Sequence, residues 1–149
     1  MAQLELTPVQ SEEAWEEARS IRTQVFIEEQ ECPPEEEWDG HDETSRHVLG
    51  HVGGTAVATA RWRSVPHNDE IVAKLERFAV LSEYRGQGYG TELVRYVLED
   101  ARRAGFNVFL IHAQAHLQDW YEDLGFESTG RTFDEAGIPH VEMLRRDPS

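Results

Sequence analysis

The 149-residue sequence is strongly acidic, with 29 aspartate and glutamate residues against 14 lysine and arginine residues and a formal net charge of −15. Such a charge disfavours binding to a phosphate backbone, so nucleic acid is not an expected partner. Thirty-nine per cent of the residues are hydrophobic, which predicts one folded domain over residues 1–149. Its apolar runs are far shorter than the roughly 20 residues that cross a bilayer and its N-terminus is acidic, so we expect a cytoplasmic protein without a membrane partner.

Cysteine and lysine each occur once. The single cysteine, Cys32, excludes an internal disulfide and a cysteine-rich zinc site, and we expect no metal. Lys74 is the only lysine among the 14 basic residues. A carboxylate-rich surface with almost no lysine is typical of proteins that work in concentrated salt, so we interpret it as a sign of a halophilic source. An ordinary acidic protein encoded by a genome that favours arginine is the alternative.

The first half of the chain predicts a strand, a helix, a long loop and a hairpin. Two prolines at 33 and 34 interrupt the helical pattern, and we interpret the acidic run beside them as a solvated surface. The predicted elements are a strand at Leu4–Leu6, a helix capped by Ser11 with Trp15, Ala18, Ile21 and Val25 on its apolar face, an irregular loop over Glu28–Glu43, and strands at Val48–Val52 and Thr55–Arg63 around a Gly53-Gly54 turn.

The second half predicts a central strand, glycine loop and helix, followed by three further strands and a short helix. The predicted elements are a polar loop at Ser64–Glu70, a strand at Ala73–Leu81, a helix with Leu93, Val94, Val97, Leu98 and Ala101 on one face and Gly105 at its end, a buried strand at Val108–Ala113, a helix at Leu117–Leu124, and strands at Phe126–Phe133 and His140–Leu144. This order indicates a mixed α/β fold.

Three glycines, Gly86, Gly88 and Gly90, alternate between the central strand and its helix. They let backbone N–H groups point outward at a helix N-terminus, where a pyrophosphate is stabilised. A tight turn without a ligand is the alternative. A P-loop needs a lysine after its last glycine and a dinucleotide fingerprint needs a third glycine at position 91, whereas Gly90 is followed by Thr91. Both of these nucleotide sites are therefore disfavoured.

The run Arg85-Gly86-Gln87-Gly88-Tyr89-Gly90 resembles the acetyl-CoA loop of the GNAT N-acetyltransferase family. Two further segments resemble its fourth strand and its C-terminal aromatic-Tyr-x-x-x-Gly-Phe segment; they are Leu75–Val80 and Trp120–Phe126. Additional runs resemble an ElaA-like branch of that family; they are Val25–Gln30, Glu35–Glu37, Ala60–Arg63 and Ala136–His140. The resemblance covers nearly the whole chain.

The resemblance implies a mixed central β-sheet, flanked by helices, whose fourth and fifth strands splay apart around acetyl-CoA. An extended pantetheine arm would pair with the backbone of Phe78, Ala79 and Val80. The pyrophosphate would bind the loop residues that follow, namely Arg85, Gly86, Gln87, Gly88, Tyr89, Gly90 and Thr91. Family members usually carry an asparagine shortly before the last helix, and this chain has Ala115-His116 instead, so one cofactor contact differs.

The implied activity is transfer of an acetyl group to a primary amine by direct attack in a ternary complex. Tyr121 is at the family position of the phenol that protonates the departing thiolate, and a role in core packing is the alternative. A backbone N–H near Ala79 or Val80 is expected to meet the thioester oxygen. Glu76 is the candidate base because apolar neighbours raise the pKa of a carboxyl group. The alternatives are a water chain, a relay through His112, or a structural Glu76 paired with an arginine at 61, 63 or 77.

The acceptor is the least determined part of the activity. The loop Glu28–Glu43 and the hairpin arginines would frame its cleft, and the acidic surroundings favour a cationic small-molecule or peptide amine. His112 and His116 are four residues apart but straddle a strand end, so their spacing does not indicate a metal site. We also expect the chain to form a homodimer. A non-catalytic acyl-CoA-binding module remains the alternative function.

If the acidic surface is an adaptation to concentrated salt, the melting temperature should rise between about 0.1 M and 3 M KCl, because salt screens carboxylate repulsion and strengthens apolar burial. Scanning calorimetry across this range measures the effect. A melting temperature that is flat or falling would contradict the halophilic interpretation.

Overall fold

The computed structural model describes residues 3–148 as seven strands and four α-helices. The strands are β1 (Leu4–Pro8), β2 (Arg46–Val52), β3 (Thr55–His67), β4 (Glu70–Val80), β5 (Val108–Gln114), β6 (Glu127–Glu135) and β7 (Ile138–Arg146). The helices are α1 (Glu12–Arg22), α2 (Pro34–Glu37), α3 (Tyr89–Arg103) and α4 (Gln118–Asp123). In this part of the chain, no helix is long and apolar enough to cross a membrane.

All seven strands join one mixed sheet in the order β1-β2-β3-β4-β5-β7-β6. β4 and β5 are parallel neighbours, and the other neighbouring pairs are antiparallel. Parallel neighbours need a crossover connection, which α3 supplies. The predicted fold class, a mixed central sheet flanked by helices, is confirmed.

The two faces of the sheet differ in polarity. One face packs against the apolar side of α3 and is fully buried; its strand residues are Ala60, Trp62, Ala73, Leu75, Phe109, Ile111, Ala113, Val141 and Met143. Because side chains alternate along a strand, their neighbours point to the opposite face. Those neighbours are largely polar; they include Arg61, Arg63, Lys74, Glu76, His112, Gln114, His140 and Glu142.

Helix α1 covers part of this second face. Ser11 caps it as predicted, since its Oγ accepts a hydrogen bond from the Ala14 N–H at 3.1 Å. Its buried side chains pack on residues of β2 and β4; the cluster comprises Ala18, Ile21, Val25, Leu49 and Ala79. A π-helical turn over Thr23–Glu29 continues α1. Val25, which the helical spacing places on the apolar face, is buried within this turn.

The structure corrects two predicted loops. The polar loop at Ser64–Glu70 is wrong: β3 continues to His67 and β4 begins at Glu70, joined by a two-residue turn in which Asn68 has a φ of 54°. Asparagine tolerates this left-handed conformation, so the turn needs no glycine. The irregular loop at Glu28–Glu43 is also partly wrong, because it contains the end of the π-helical turn, α2 and a 3₁₀ turn at Asp42–Thr44.

A β-bulge interrupts β4 at its centre. Thr59 pairs with Ala79 and Arg61 pairs with Glu76, so two residues of β4 lie opposite a single residue of β3. The first of the two, Arg77, has a φ of 60°. A bulge bends its strand and increases the local twist. The β4–β5 ladder is short: its pairs are Ala73 with Phe109 and Lys74 with Leu110. The predicted splay of the fourth and fifth strands is therefore present.

Buried arginines fix the segment between α1 and β2 against the bulge. We call this group the arginine cluster; it comprises Arg22, Glu37, Asp39, Asp42, Arg61 and Arg77. Arg22 donates to Glu37 Oε2 and to Asp42 Oδ1, each at 2.6 Å, and is itself 1% exposed. Arg61 donates to both Asp39 and Asp42. Each guanidinium therefore has carboxylates that offset its desolvation.

The acidic run at 35–37 is only partly the solvated surface that the sequence predicts. Glu35 and Glu36 are exposed, whereas Glu37 is 2% exposed. Burial raises the pKa of Glu37, and the charges of Arg22 and Arg77 act in the opposite direction. The solvated interpretation is therefore wrong for Glu37, because the helical turn of α2 directs this one side chain inward.

Glu37→Gln should lower the free energy of unfolding by roughly 2–3 kcal/mol, because it keeps the side-chain shape but leaves Arg22 with less buried negative charge. Glu35→Gln is the matched control, since it removes the same charge from an exposed position of the same run. Urea denaturation of both variants and the wild type measures the difference. Equal effects of the two substitutions would contradict a stabilising role for the buried pair.

Candidate functional site

Two cavities lie beside the gap between β4 and β5. The polar cavity, of about 630 Å³, contains Glu76, His112 and residues of the 28–43 segment in its wall. The glycine-loop cavity, of about 560 Å³, is bounded by the end of β4 and the start of α3. The two cavities share six lining residues: Phe26, Gln30, Phe78, Gln114, Leu117 and Tyr121. They therefore meet at the gap, where a molecule in one can reach a molecule in the other.

Almost all of the predicted cofactor residues line the glycine-loop cavity. They are Phe78, Ala79, Val80, Arg85, Gly86, Gly88, Tyr89, Gly90 and Thr91. Gln87 is exposed and is not among the lining residues, so its predicted role receives no support from its position. Gly88 is the N-cap of α3 with a φ of 85°, and Gly86 has a φ of 79°. A Cβ at either glycine would have no heavy atom within 4 Å, so open space adjoins the helix N-terminus and its N–H groups.

Arg85 lies beside this N-terminus in an exchangeable ion pair. Its guanidinium donates to both carboxylate oxygens of Glu29, at 2.5 and 2.8 Å, and its Nε donates to the Val80 carbonyl at 2.8 Å. The hydrogen bond from Arg85 lowers the pKa of Glu29. Both side chains are about two-fifths exposed, and exposed pairs contribute little. An anion at the loop can therefore compete for Arg85.

The end of β4 presents its backbone to the gap. Ala79 and Val80 pair with β3 on one side, and on the other side the ladder to β5 has already ended at Lys74. An extended chain with amide groups can add to such a strand edge. The largely apolar wall of the glycine-loop cavity suits the aliphatic parts of the same chain.

Tyr121 lies at the junction of the two cavities. It is 6% exposed and packs edge-on against Trp120 and Phe126, with ring centroids 4.9 and 5.9 Å away. Burial raises the pKa of its phenol, so the hydroxyl keeps its proton at neutral pH. The ring thus packs in the core while Tyr121 also lines both cavities, so its catalytic role stays a prediction.

Glu76 lies in the polar cavity, but its carboxylate is already paired. Arg61 donates to it at 2.6 Å and Arg63 at 3.2 Å, and Lys74 Nζ is 3.3 Å away. Burial acts to raise the pKa of Glu76, yet these three cations hold it below its ordinary value. The predicted rise in this pKa is therefore wrong. The structural alternative is correct for positions 61 and 63, whereas Arg77 pairs with members of the arginine cluster.

The two candidate histidines lie in different cavities. His112 is on β5 in the polar cavity, with Nε2 3.6 Å from Glu142 Oε2. Burial and the charge of Lys74 hold the pKa of His112 below its ordinary value, so its ring is neutral at pH 7. His116 is exposed at the edge of the glycine-loop cavity. Among residues 3–148, no group of three or more histidine, cysteine or acidic side chains could hold a metal ion.

Sequence reasoning missed several residues of the site. Gln30 and Gln114 both line the junction, where Gln114 Nε2 donates to Gln30 Oε1 at 3.2 Å. Strand alternation could have placed Gln114 and Lys74 beside His112 and Glu76. Gln30 had no such signal, because its position depends on the π-helical turn that precedes it.

Known proteins share both the sequence pattern and the fold. The sequence model of the Acetyltransferase (GNAT) family matches residues 12–126. The uncharacterized N-acetyltransferase YjcF of Bacillus subtilis is 32% identical over 136 residues, covering 91% of this chain and 94% of YjcF. The ElaA protein of Escherichia coli is 36% identical over 129 residues, covering 84% and 82%. Its crystal structure has a TM-score of 0.82 at 30% identity, covering 98% of this chain and 100% of ElaA.

A more distant structure shares the fold alone. A GNAT family acetyltransferase from Elizabethkingia anophelis, solved with acetyl-CoA bound, superposes with a TM-score of 0.71 at 14% identity, covering 96% of this chain and 97% of the other. The fold of this chain is therefore shared by a protein of very different sequence.

Gly88→Val should weaken the binding of coenzyme A by more than about tenfold, or about 1.4 kcal/mol. A β-branched residue does not adopt a φ of 85° without strain, so the loop would move its N–H groups away from the pyrophosphate. Gly88→Asn is the matched control, because asparagine tolerates this conformation, and it should lose less affinity. Calorimetric titration of folded variants measures both. Unchanged affinity in Gly88→Val would contradict the assignment of the loop.

Proposed function

This chain belongs to the acetyltransferase (GNAT) family, and we propose that it transfers an acetyl group from acetyl-CoA to a primary amine by direct attack in a ternary complex. The observation that carries this proposal is the pair of cavities that meet at Tyr121 and Phe78. One cavity has the features of a cofactor site and the other is a separate polar space, so two substrates can approach the same point.

The residues around the glycine-loop cavity fit acetyl-CoA. The N-terminus of α3 and the side chain of Arg85 would hold the pyrophosphate. The free edge of β4 at Phe78–Val80 would pair with the pantetheine amides, and a backbone N–H there would polarise the thioester carbonyl. The family resemblance implies an asparagine shortly before the last helix, where this chain has Ala115-His116, so that contact would differ here. Acetyl-CoA supplies an activated acyl group on a thiol leaving group.

Tyr121 is the proposed proton donor to the departing sulfur. Its buried phenol stays protonated at neutral pH, and it lies where the two cavities join. The packing of its ring against Trp120 and Phe126 fixes the direction of the hydroxyl group. A fixed donor needs little reorganisation when the thiolate leaves.

His112 is the proposed proton acceptor for the attacking amine. A base must be unprotonated, and the neutral ring of His112 meets this requirement in the wall of the polar cavity. Glu76 was the candidate from the sequence, but accepting a proton would break its pairing with Arg61, Arg63 and Lys74. We therefore assign Glu76 the role of positioning Arg63 and Lys74.

The cellular location, the source and the oligomeric state of the protein are part of the same proposal. The cytoplasmic location stays a prediction from the sequence. The carboxylate-rich surface supports a halophilic source. A homodimer stays a prediction.

Thiol release from acetyl-CoA, followed with a thiol reagent against a panel of amines, tests the function. Amine-dependent release is the expected result. Tight binding of coenzyme A with no release in the presence of any amine would instead favour a non-catalytic acyl-CoA-binding module.

Tyr121→Phe should lower kcat by roughly 10²- to 10⁴-fold while the affinity for acetyl-CoA stays nearly constant, because the ring remains and only the acidic proton is removed. Steady-state turnover with the best amine of the panel measures the change. Melting temperatures of both proteins control for packing. Turnover within a few-fold of the wild type would assign Tyr121 to the core alone.

The pH dependence of kcat/KM should report His112. Since its pKa is held below the ordinary value of about 6.5, the ring is the active, neutral form at pH 7 and above. Protonation converts this neutral form of His112 to the inactive cation in more acidic solution. Relative to His112→Gln, the wild type should therefore gain activity as the pH rises through this lowered value and should then level off. The comparison with His112→Gln cancels the titration of the amine itself. Parallel profiles of the two proteins would exclude His112 as the base.

A further inference from the structure

Two cations form part of the wall of the polar cavity without a carboxylate of their own. Arg63 and Lys74 lie directly opposite each other on β3 and β4, and both line the cavity. Their side chains are 18% and 15% exposed. Within residues 3–148, each has Glu76 as its ion-pair partner, at 3.2 and 3.3 Å. Glu76 is shared further with Arg61, so one carboxylate serves three cations.

The arginine cluster does not supply the missing negative charge. The arginine cluster forms one connected network of ion pairs with Arg63, Lys74 and Glu76. The network has five cations: Arg22, Arg61, Arg63, Lys74 and Arg77. It has four carboxylates: Glu37, Asp39, Asp42 and Glu76. Glu142 lies nearby, but Arg131 donates to it at 2.9 Å. The network therefore carries one excess positive charge, in a protein whose net charge is −15.

This excess is located at the cavity rather than in the core. Arg22 and Arg61 are 1% exposed or less, whereas Arg63 and Lys74 retain access to the cavity. A largely buried cation favours a bound anion, since a charge-assisted hydrogen bond strengthens away from bulk water. An arginine and a lysine side by side are well suited to the two oxygens of a carboxylate.

We propose that Arg63 and Lys74 bind a carboxylate of the acceptor, so that the amine acetylated by this protein carries a carboxylate at its other end. This inference rests on the proposed function for the identity of the reaction. It replaces the purely cationic acceptor that the overall charge favours.

The length of β4 indicates how far apart the two groups of the acceptor are. Lys74 is the first and Phe78 the last of the β4 residues that line the polar cavity, and Phe78 also lines the glycine-loop cavity. The intervening backbone, with its bulge, spans about 10 Å at about 3.3 Å per residue. An ω-amino acid with several methylene groups can extend along this distance better than an α-amino acid.

Exposed carboxylates at the cavity edge are consistent with a zwitterionic acceptor. They are Glu35, Glu36, Asp134 and Glu135. They attract the ammonium end of an approaching molecule and disfavour a dicarboxylate, while Arg63 and Lys74 disfavour a diamine. The exposed carboxylates at the cavity edge thus favour an acceptor with an ammonium group, and Arg63 and Lys74 favour one that also has a carboxylate.

Sets of acceptors that have equal chain length but different end groups test the inference. The probes are the ω-amino acids H₂N–(CH₂)ₙ–COO⁻ from two to six methylenes, with the alkylamine and the diamine of the same length. We expect kcat/KM for the best ω-amino acid to exceed that of its matched diamine by at least about tenfold, because like charges in one cavity repel. Turnover of the diamines or alkylamines that equals or exceeds that of the ω-amino acids would overturn the carboxylate site and leave the proposed function intact.

Variants assign the effect to the two cations. Lys74→Met and Arg63→Gln should each lower the ratio of kcat/KM for the ω-amino acid to kcat/KM for the alkylamine by at least about tenfold. The loss should appear mainly in KM, because the cations hold the far end of the acceptor. Arg95→Gln is the matched control, since it removes a positive charge from the exposed face of α3, and its ratio should equal that of the wild type. An unchanged ratio in both cavity variants would overturn the assignment.

Binding without turnover separates this inference from the proposed function. Titration of 5-aminopentanoate into the protein saturated with coenzyme A should give heat that pentylamine does not give and that Lys74→Met abolishes. If no amine is acetylated but this selective binding is present, the carboxylate site stands and the acetyltransferase proposal fails. If neither probe binds selectively, the carboxylate site is wrong.

Discussion

Two buried guanidinium groups, those of Arg22 and Arg61, connect α1, β3 and β4 to the segment that forms one wall of the polar cavity. Arg22 belongs to α1 and Arg61 to β3, and both bind Asp42 in the segment that joins α1 to β2. Burying an arginine without a carboxylate partner has an unfavourable free energy. The positions of Arg22, Arg61 and Asp42 therefore constrain one another. The 28–43 segment is therefore held against the sheet and forms a fixed wall of the polar cavity.

The same network holds the bulge of β4. Arg77 adopts a left-handed backbone conformation, and its side chain pairs with Glu37 at 2.9 Å and with Asp39 at 3.2 Å. Such a conformation is unfavourable for a residue with a Cβ and persists where surrounding contacts determine it. Beyond this point β4 pairs with β3 alone, which leaves an open strand edge beside the glycine loop. The polar cavity and the open edge of β4 thus both adjoin one set of ion pairs.

The buried ion-pair network beside the polar cavity is opposite in charge to the whole protein, although exposed carboxylates also line this cavity. The net charge of −15 favours cationic partners at long range. Inside the polar cavity, Arg63 and Lys74 share a single carboxylate with Arg61, and short-range pairing there is stronger than the screened field of distant surface groups. In our proposal, these few side chains rather than the net charge of the protein select the acceptor.

The sequence by itself determined the elements whose signals are local: the Ser11 cap, the apolar face of α3, the glycine turn at its start and the aromatic segment around Tyr121. Each depends on spacing within a few residues, which backbone geometry fixes directly. The tertiary structure alone decided that Glu37 is buried and that Arg61 and Arg63 pair with Glu76, because the pairs formed by Glu37 and by these two arginines join residues 13 to 40 positions apart. The pKa of a carboxyl group depends on those distant partners, so apolar neighbours along β4 gave the wrong direction for Glu76. Only the folded sheet brings the partners together.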